Sequence, residues 1–563
     1  MAMDHPQALP SLDVWTSALL SKSTAGRGSN GKLEAYGIKK LRELILELAV
    51  RGKLVPQDPK DEPASALLKR IQAEKARLIA EGKIKKDKPL PQISEEEKPY
   101  ALPLCWEWVR LPEIYLSISP SGSKLLSSAI KDAGTFPVVD QGQRYIAGYT
   151  DDAALLINLP GPVIVFGDHT TERKYIDFDF VAGADGVKIL RPILQDEHFF
   201  FRQLQGYRLE ERGYARHFKV LNDNLYALPP IEEQHRIVAK VDELMALGDQ
   251  LEQQQTDSLA AHQTLVETLL GTLTRVGSQQ EFSAAWTRIA SHFDTLFTTE
   301  ASIDQLKQTI LQLAVMGKLV PQDPNDEPAS VLLGKIAKEK TRLFSAGEIR
   351  KQKSLFEIGE GEKPHPLPRS WEWARFGDIS YQITDGAHHT PTYVNEGIPF
   401  LSVKDMSAGR LDFSDTRFIS REQHEELIKR CFPQRGDLLL TKVGTTGIPI
   451  LVDTDEEFSI FVSVALIKFP LNHIHGRYLS LLVSSPLVKR QSEEGTEGIG
   501  NKNLVLRKIA AFVLAIPPLA EQHRIVAKVD ELMALCDALK VRLADAQTTQ
   551  LHLADAIVER AVC

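Results

Sequence analysis

Two groups of residues in this chain have the types and spacing to do chemistry. The first could hold phosphate or metal. Gly26–Lys32 reads GRGSNGK, the spacing of a loop whose backbone N–H groups cradle phosphates. Leu33 stands where that loop needs Ser or Thr, and no strand precedes it, so a flexible linker accounts for the segment. Gly495–Gly500 (GTEGIG) misses the dinucleotide spacing. The carboxylates Asp58, Asp61 and Glu62 recur as Asp323, Asp326 and Glu327. Three acids could hold a cation, but beside a helix start they read better as solvated turn residues and favourable N-terminal charges. His235 and His523, near helix starts, read as capping or packing groups. No HExxH, GxSxG, Asn-Pro-Pro-Tyr or Asp-Pro-Pro-Tyr segment is present. Without an acid–base or nucleophile constellation, the sequence argues against an enzyme.

The second group is cationic and could meet phosphate. Arg202, Arg208, Arg212, Arg216 and Lys219 crowd one region, and Lys489, Arg490, Lys502, Arg507 and Lys508 another. The whole chain has a net charge of −8 and a pI near 6.1. That balance counts against a simple electrostatic nucleic-acid binder, because neutralising phosphates needs Lys and Arg, although charge can still be local.

The elements that position these groups are written twice. EQHRIVAKVDELMAL at Glu233–Leu247 recurs residue for residue at Glu521–Leu535. GKLVPQDP at Gly52–Pro59 recurs at Gly317–Pro324, DEPAS at Asp61–Ser65 at Asp326–Ser330, and Trp-Glu-Trp at Trp106–Trp108 at Trp371–Trp373. The intervening stretches, about 110–226 and 375–514, differ in sequence and length. A duplicated framework with two unlike inserts can present two different readers at a fixed separation.

Apolar residues at helical spacing predict helices through Leu41–Ala49 and Leu67–Ile79, with Gly52 and Gly82 as stops. The same pattern runs through 306–364. Short β-branched or aromatic runs (Thr135–Asp140, Val163–Phe166, Val187–Leu190; Ile398–Val403, Asp437–Val443, Phe458–Phe469) predict strands in both inserts. After each insert a Pro-Pro pair opens a long helix. Ile237, Val241, Leu244, Gly248 and Leu251 step by four and three, as do Ile525, Val529, Leu532, Cys536, Leu539, Leu543 and Ala546. Such a seam asks for a helical partner. Packing on its own domain is the plainer reading, and pairing of the two helices the favoured one. At about 40 residues and 1.5 Å rise, each spans about 60 Å.

The resulting expectation is an α+β chain: two mixed α/β recognition domains separated by two long helices pairing as an antiparallel coiled coil, with an internal pseudo-twofold repeat. The segments are a tail and linker (1–34), a first helical framework (35–100), a first insert domain (101–230), a first long helix (231–275), a linker with the second framework (276–365), a second insert domain (366–518) and a second long helix (519–563). The chain has 563 residues, 43% hydrophobic and 25% charged, an ordinary balance for a soluble protein. Neither a run of about 18 apolar residues nor a secretory signal is visible. The four cysteines form no CxxC pair. A reducing cytoplasm is expected.

The Pro-Pro entry, the EQHRIVAKVDEL helices and the variable inserts together resemble the DNA specificity subunit of type I restriction–modification systems, over nearly the whole chain. LRELILELAVRGKLVPQDP at Leu41–Pro59 and WTSALLSKSTAGRGS at Trp15–Ser29 resemble its EcoAI-like (type IB) subgroup. FPVVDQGQRYIAGYTDD at Phe136–Asp152 and VFGDHT at Val165–Thr170 look like one type of target-recognition domain. ITDGAHHTP at Ile383–Pro391, IPFLSVKDM at Ile398–Met406 and GDLLLTKVGTTG at Gly436–Gly447 look like another.

The resemblance implies that each recognition domain reads one half of a split, asymmetric double-stranded DNA site while the helices set the gap. It implies that two methyltransferase subunits dock on the framework, and that two ATP-dependent restriction/translocase subunits join them for bacterial defence. It assigns S-adenosylmethionine, ATP and Mg to those partners, and no cofactor, metal or catalytic residue to this chain. Arg suits guanine, and Asn or Gln suits adenine, at base edges. On that basis the DNA-facing candidates in the first insert are Gln141, Gln143 and Arg144, then His169, Thr170 and Thr171 with Arg173 and Lys174, then Arg216 and His217. In the second they are His388, His389 and Thr390, then Lys404, the loop Lys442–Thr446 including Thr445 and Thr446, and Asn501, Lys502 and Asn503. Three other readings are a methylation-only system, a single-chain methyltransferase or nuclease, and a coiled-coil scaffold unrelated to DNA. The single-chain enzyme lacks its catalytic motifs, and the scaffold leaves the inserts unexplained.

Overall fold

The structure is a computed structural model that describes residues 12–21, 33–85, 89–119, 125–183, 186–207, 209, 216–277, 279–350, 355–497 and 503–562. The loop Gly26–Lys32 and the candidates Asn501 and Lys502 lie outside the described residues. The chain forms two compact units: one of residues 1–258 and 546–563, the other of residues 259–545. No helix among the described residues is long and apolar enough to cross a membrane.

In the first unit the helices Tyr36–Val50 and Ala64–Ala80 bury Leu41, Leu44, Ile45, Leu67 and Ile71. Gly52 ends the first of them at φ +66°, and a Cβ there would meet Pro103 and Trp106. Both the backbone sign and the close approach therefore demand glycine. The long helix Ile231–Arg275 begins in this unit. Its Ile237 and Val241 sit in one core with Trp106, Phe199, Tyr226 and Val558. This part of the expected seam is thus spent inside its own unit.

The insert of the first unit is built on two four-stranded sheets. One has the order Tyr115–Ile118, Val187–Pro192, Val163–Gly167, Arg173–Ile176, antiparallel throughout. The other has the order Gly148–Thr150, Phe136–Val139, Phe180–Ala182, Leu156–Ile157, with a parallel pair in its middle. Between them lie Val139, Val163, Val165, Ile176, Phe180 and Ile189. A two-stranded clip, Glu107–Arg110 against Leu225–Leu228, closes the insert where it leaves the framework.

The second unit repeats these parts. The helices Glu300–Val315 and Ala329–Ser345 bury Leu306, Ile310, Leu313, Leu332 and Ile336. The long helix Leu519–Val562 begins here, with Ile525, Val529 and Cys536 in the core. Its first sheet runs Gln382–Asp385, Val464–Lys468, Leu438–Thr441, Pro449–Leu451, the same chain order and pairing sense as in the first unit. In its second sheet Ile398–Leu401 lies between an antiparallel neighbour, Arg417–Ile419, and a parallel one, Ser459–Ile460. That matches the placing of Phe136–Val139 in the first unit. The extra edge strand differs: Leu156–Ile157 in one unit, Tyr393–Val394 in the other. The clip recurs as Glu372–Arg375 against Val513–Ile516.

Candidate nucleic-acid interface

The repeated Glu-Gln-His-Arg segment fastens each insert to its framework. Glu233 is 1% exposed; its carboxylate accepts from the Trp106 indole N–H at 3.0 Å and from Gln57 at 2.6 Å. Glu521 does the same with Trp371 at 3.0 Å and Gln322 at 2.6 Å. Burial pushes both carboxyls above the usual range, against those hydrogen bonds. Gln234 and Gln522, both fully buried, accept from the N–H of Asp196 and of His475, and donate to Pro229 and Pro517 carbonyls. Asp196 and His475 each cap an insert helix. Arg236 pairs with Asp61, and Arg524 with Asp326, both at 2.6 Å. Glu62 and Glu327 pair with Arg70 and Lys335. The acids that could have suggested metal binding are therefore salt-bridged along the framework, apart from Asp58 and Asp323, which receive turn N–H groups.

Two candidate loops of the first insert meet through Gln141. Its side-chain oxygen accepts from the His169 N–H at 3.2 Å, and its carbonyl accepts from the Thr170 hydroxyl. Thr171 completes the turn at φ +60°. Gln143, Arg144, Thr170 and Arg216 are exposed, and His169 is half-buried. Three expectations are corrected. Lys174 is 5% exposed, and its ammonium donates to the carbonyls of Asp140 (2.9 Å) and Arg144. Buried and spent on those carbonyls, the ammonium braces the loop from within, and burial pushes its pKa down. Arg173 donates inward to the Tyr207 carbonyl at 2.9 Å, and burial lowers it too. His217 is buried; its N–H and ring Nδ1 lie 2.8 and 3.1 Å from the Asp168 carbonyl, while Asp168 Oδ1 accepts from Phe218 N–H.

In the second insert His388, His389, Thr390, Lys404 and Thr445 are exposed, and Thr446 and Asn503 are half-buried. Lys404 donates to the Asp415 carbonyl at 2.8 Å. Lys442 is a further correction: at 5% exposure its ammonium pairs with Asp385 Oδ2 at 2.9 Å. Asp385 also meets His388 Nε2 at 2.9 Å and the Arg430 guanidinium. Burial raises the Asp385 carboxyl, but its bonds to Lys442 and His388 outweigh this and hold it below the usual range.

Sequence reasoning missed Asp140, Asp168, Asp385 and Arg430. Asp140, Asp168 and Asp385 lie inside the motifs FPVVDQGQR, VFGDHT and ITDGAHHTP, where an acid carries no signal of base or phosphate contact. Arg430 lies in no motif.

The arrangement offers exposed Gln, Arg, His and Thr side chains on loops braced by buried ion pairs and carbonyl-capped lysines, suited to reading an external polar surface. Residues 368–545 match the family model described as the type I restriction modification DNA specificity domain. The EcoAI specificity subunit of Escherichia coli is 40% identical over 98% of both chains, and so is the EcoEI specificity subunit. A weaker likeness exists to the crystal structure of the HsdS subunit from Thermoanaerobacter tengcongensis, 17% identical over 83% of this chain and 98% of that one, with a TM-score of 0.36. With relatives of this identity along its whole length, the chain belongs to the DNA specificity subunits of type I restriction–modification systems, in the EcoAI-like group.

Proposed function

We propose that each insert reads one half of a bipartite, asymmetric DNA site, and that the framework docks two copies of one methyltransferase subunit. The methyl transfer, using S-adenosylmethionine, and the ATP- and Mg-dependent restriction steps are the work of partner subunits in the cytoplasm, and this chain carries no catalytic step. The observation that carries the docking reading is identity at exposed positions. Pro56, Asp58, Pro59, Glu62 and Pro63 are exposed, as are Pro321, Asp323, Pro324, Glu327 and Pro328. Ala239, Glu243 and Leu247 are likewise exposed with Ala527, Glu531 and Leu535. Exposed positions of this kind tolerate substitution within about 0.5 kcal/mol. The fold does not require the two copies to agree there, whereas a partner that binds both does.

Antiparallel pairing of the long helices as a spacer is supported from within each unit. Arg42 of the first framework helix pairs with Asp249 and Glu252 near the middle of one long helix, and Lys40 and Tyr36 bind Asp555 near the end of the other. In the second unit Asp304 and Lys307 pair with Lys540 and Asp537, while Leu270 and Leu273 of the first long helix join the same core.

The test is methylation mapping in a methylation-free bacterial host that co-expresses the chain with the methyltransferase subunit of the same system. A split motif with methyladenine in both halves, dependent on this chain, is expected. Methylation without the chain, or a one-part motif, overturns the proposal.

A further inference from the structure

We infer that Asp385 is the positioning residue of the second insert, the post that ties the loop following it to the loop opened by Lys442, and through that lysine to Asn503, so that the exposed side chains of the two loops keep one register. Asp385 ends the strand Gln382–Asp385, and the exposed His388–Thr390 follow it. The intervening Gly386 lies against the Ile460 carbonyl, where a Cβ would come within 1.8 Å, and Ala387 N–H donates to that carbonyl at 2.9 Å. This fixes the loop's root. Asp385 Oδ2 takes the buried Lys442 ammonium, and Lys442 opens the second loop, with the exposed Thr445. The Lys442 backbone is bonded on both sides: its N–H donates to the Ser463 carbonyl at 2.9 Å, and its carbonyl accepts from Leu504 N–H at 2.7 Å. Val443 bridges Asn503. Asp385 Oδ1 meets His388, and Arg430 touches both Asp385 and His388, which orients the first exposed histidine from below. One carboxylate thus links the first loop directly to the second and, through the lysine backbone, to Asn503.

This role rests on the proposed reading of DNA by the second insert. A buried ion pair is a weak source of net stability, because desolvation cancels much of its attraction, while loss of one partner leaves an uncompensated charge. Charge balance and loop register are therefore separable. Asp385→Asn alone lowers thermal stability. The double variant Asp385→Asn/Lys442→Met removes both charges and restores the melting temperature, but not the tie.

The experiment uses the complex of the full chain with its methyltransferase subunit. It measures binding to duplexes carrying the mapped site or single-base changes in either half. The expected result is a double variant with recovered melting temperature whose discrimination at the second half falls about tenfold, with the first half unchanged. Wild-type discrimination at the second half by the recovered double variant overturns the inference. If the double variant does not accumulate, Arg430→Gln decides, since Arg430 is about half exposed. A change in base discrimination supports the inference; a uniform affinity loss, or no change, overturns it. Failure of the underlying reading looks different: the wild-type complex itself would then show no base preference in the second half.

Discussion

The two inserts solve one problem with different chemistry. Each must hold a loop after the second strand of its first sheet, and each ties that loop to the segment re-entering before the clip. In the first insert Asp168 does this, accepting from Phe218 N–H and receiving the His217 N–H on its carbonyl. A buried lysine, Lys174, is capped mainly by the neutral carbonyls of Asp140 and Arg144, with the Asp140 carboxylate at 3.5 Å. In the second insert the buried lysine faces a carboxylate of equal burial, Lys442 to Asp385. Carbonyl capping is the more tolerant, because removing the lysine leaves behind neutral carbonyls and no buried charge. A buried ion pair is less so: Lys442 without Asp385 is an unpaired buried charge, and Asp385 without Lys442 keeps only the half-exposed Arg430 and His388 opposite it. The same fold therefore carries one forgiving and one unforgiving clasp.

The largest expected effect breaks this contrast if it is wrong. Lys442→Met leaves the buried Asp385 with only the half-exposed Arg430 and His388 opposite it and should destabilise the second unit by about 3 kcal/mol, the lower end for a broken buried pair. Lys174→Met in the first should cost about 1–3 kcal/mol. Urea unfolding followed by hydrogen exchange in each insert separates the two; equal costs would remove the distinction.

The framework predicts the opposite, symmetry. Glu233→Ala and Glu521→Ala each strand an indole N–H and should each cost about 1–3 kcal/mol. A large difference between them in the same assay would show that the duplicated contacts are not equivalent.

Among the exposed side chains, Arg144→Ala should weaken DNA binding by about 1–3 kcal/mol and relax one base of one half-site, with the other half untouched. Titrating single-base variants of the mapped site against the complex measures this. A loss uniform across all sequences would mark Arg144 as a phosphate contact instead.

The smallest effect concerns a departure between the copies. In the first, the helix cap Asp196 faces His235 at 3.7 Å. In the second, the cap His475 packs against His523 with ring centroids 4.4 Å apart, and its ring nitrogen accepts from Tyr478 N–H. Burial and the neighbouring histidine lower the His475 pKa, with Asp530 opposing. The unfolded chain then binds the proton more readily. Stability from this cap is present above the unfolded histidine range, about pH 6.5, and falls as the pH drops through the window below it. His475→Asp should make the second unit less acid-sensitive, seen as a smaller drop in its melting temperature between pH 7.5 and 5.5. An unchanged drop would place the acid sensitivity elsewhere.

Much of this was legible in the residues. The long helices, the Gly52 and Gly82 stops and the inner strands such as Phe136–Val139, Val163–Gly167, Ile398–Leu401 and Leu438–Thr441 followed from periodicity and turn residues, because these depend on neighbours in sequence, whereas most of the short edge strands did not. The site was only partly legible. Gln143, Arg144, His388 and His389 are exposed on loops as expected, while Lys174, Arg173, His217 and Lys442 turn inward. A cation's direction depends on what stands opposite, and the partner of Lys442 lies 57 residues away.

The sequence by itself determined the duplicated framework. Identical residues with identical local neighbours make identical contacts, from Glu233–Trp106 to Glu521–Trp371. Only the tertiary structure decided that two inserts of different sequence share the strand order of their first sheet, and which of their charges are structural. Strand order follows from long-range pairing and from burial of alternating apolar side chains, which many sequences satisfy equally. The sign and place of a buried charge follow from segments that meet only when the chain has folded.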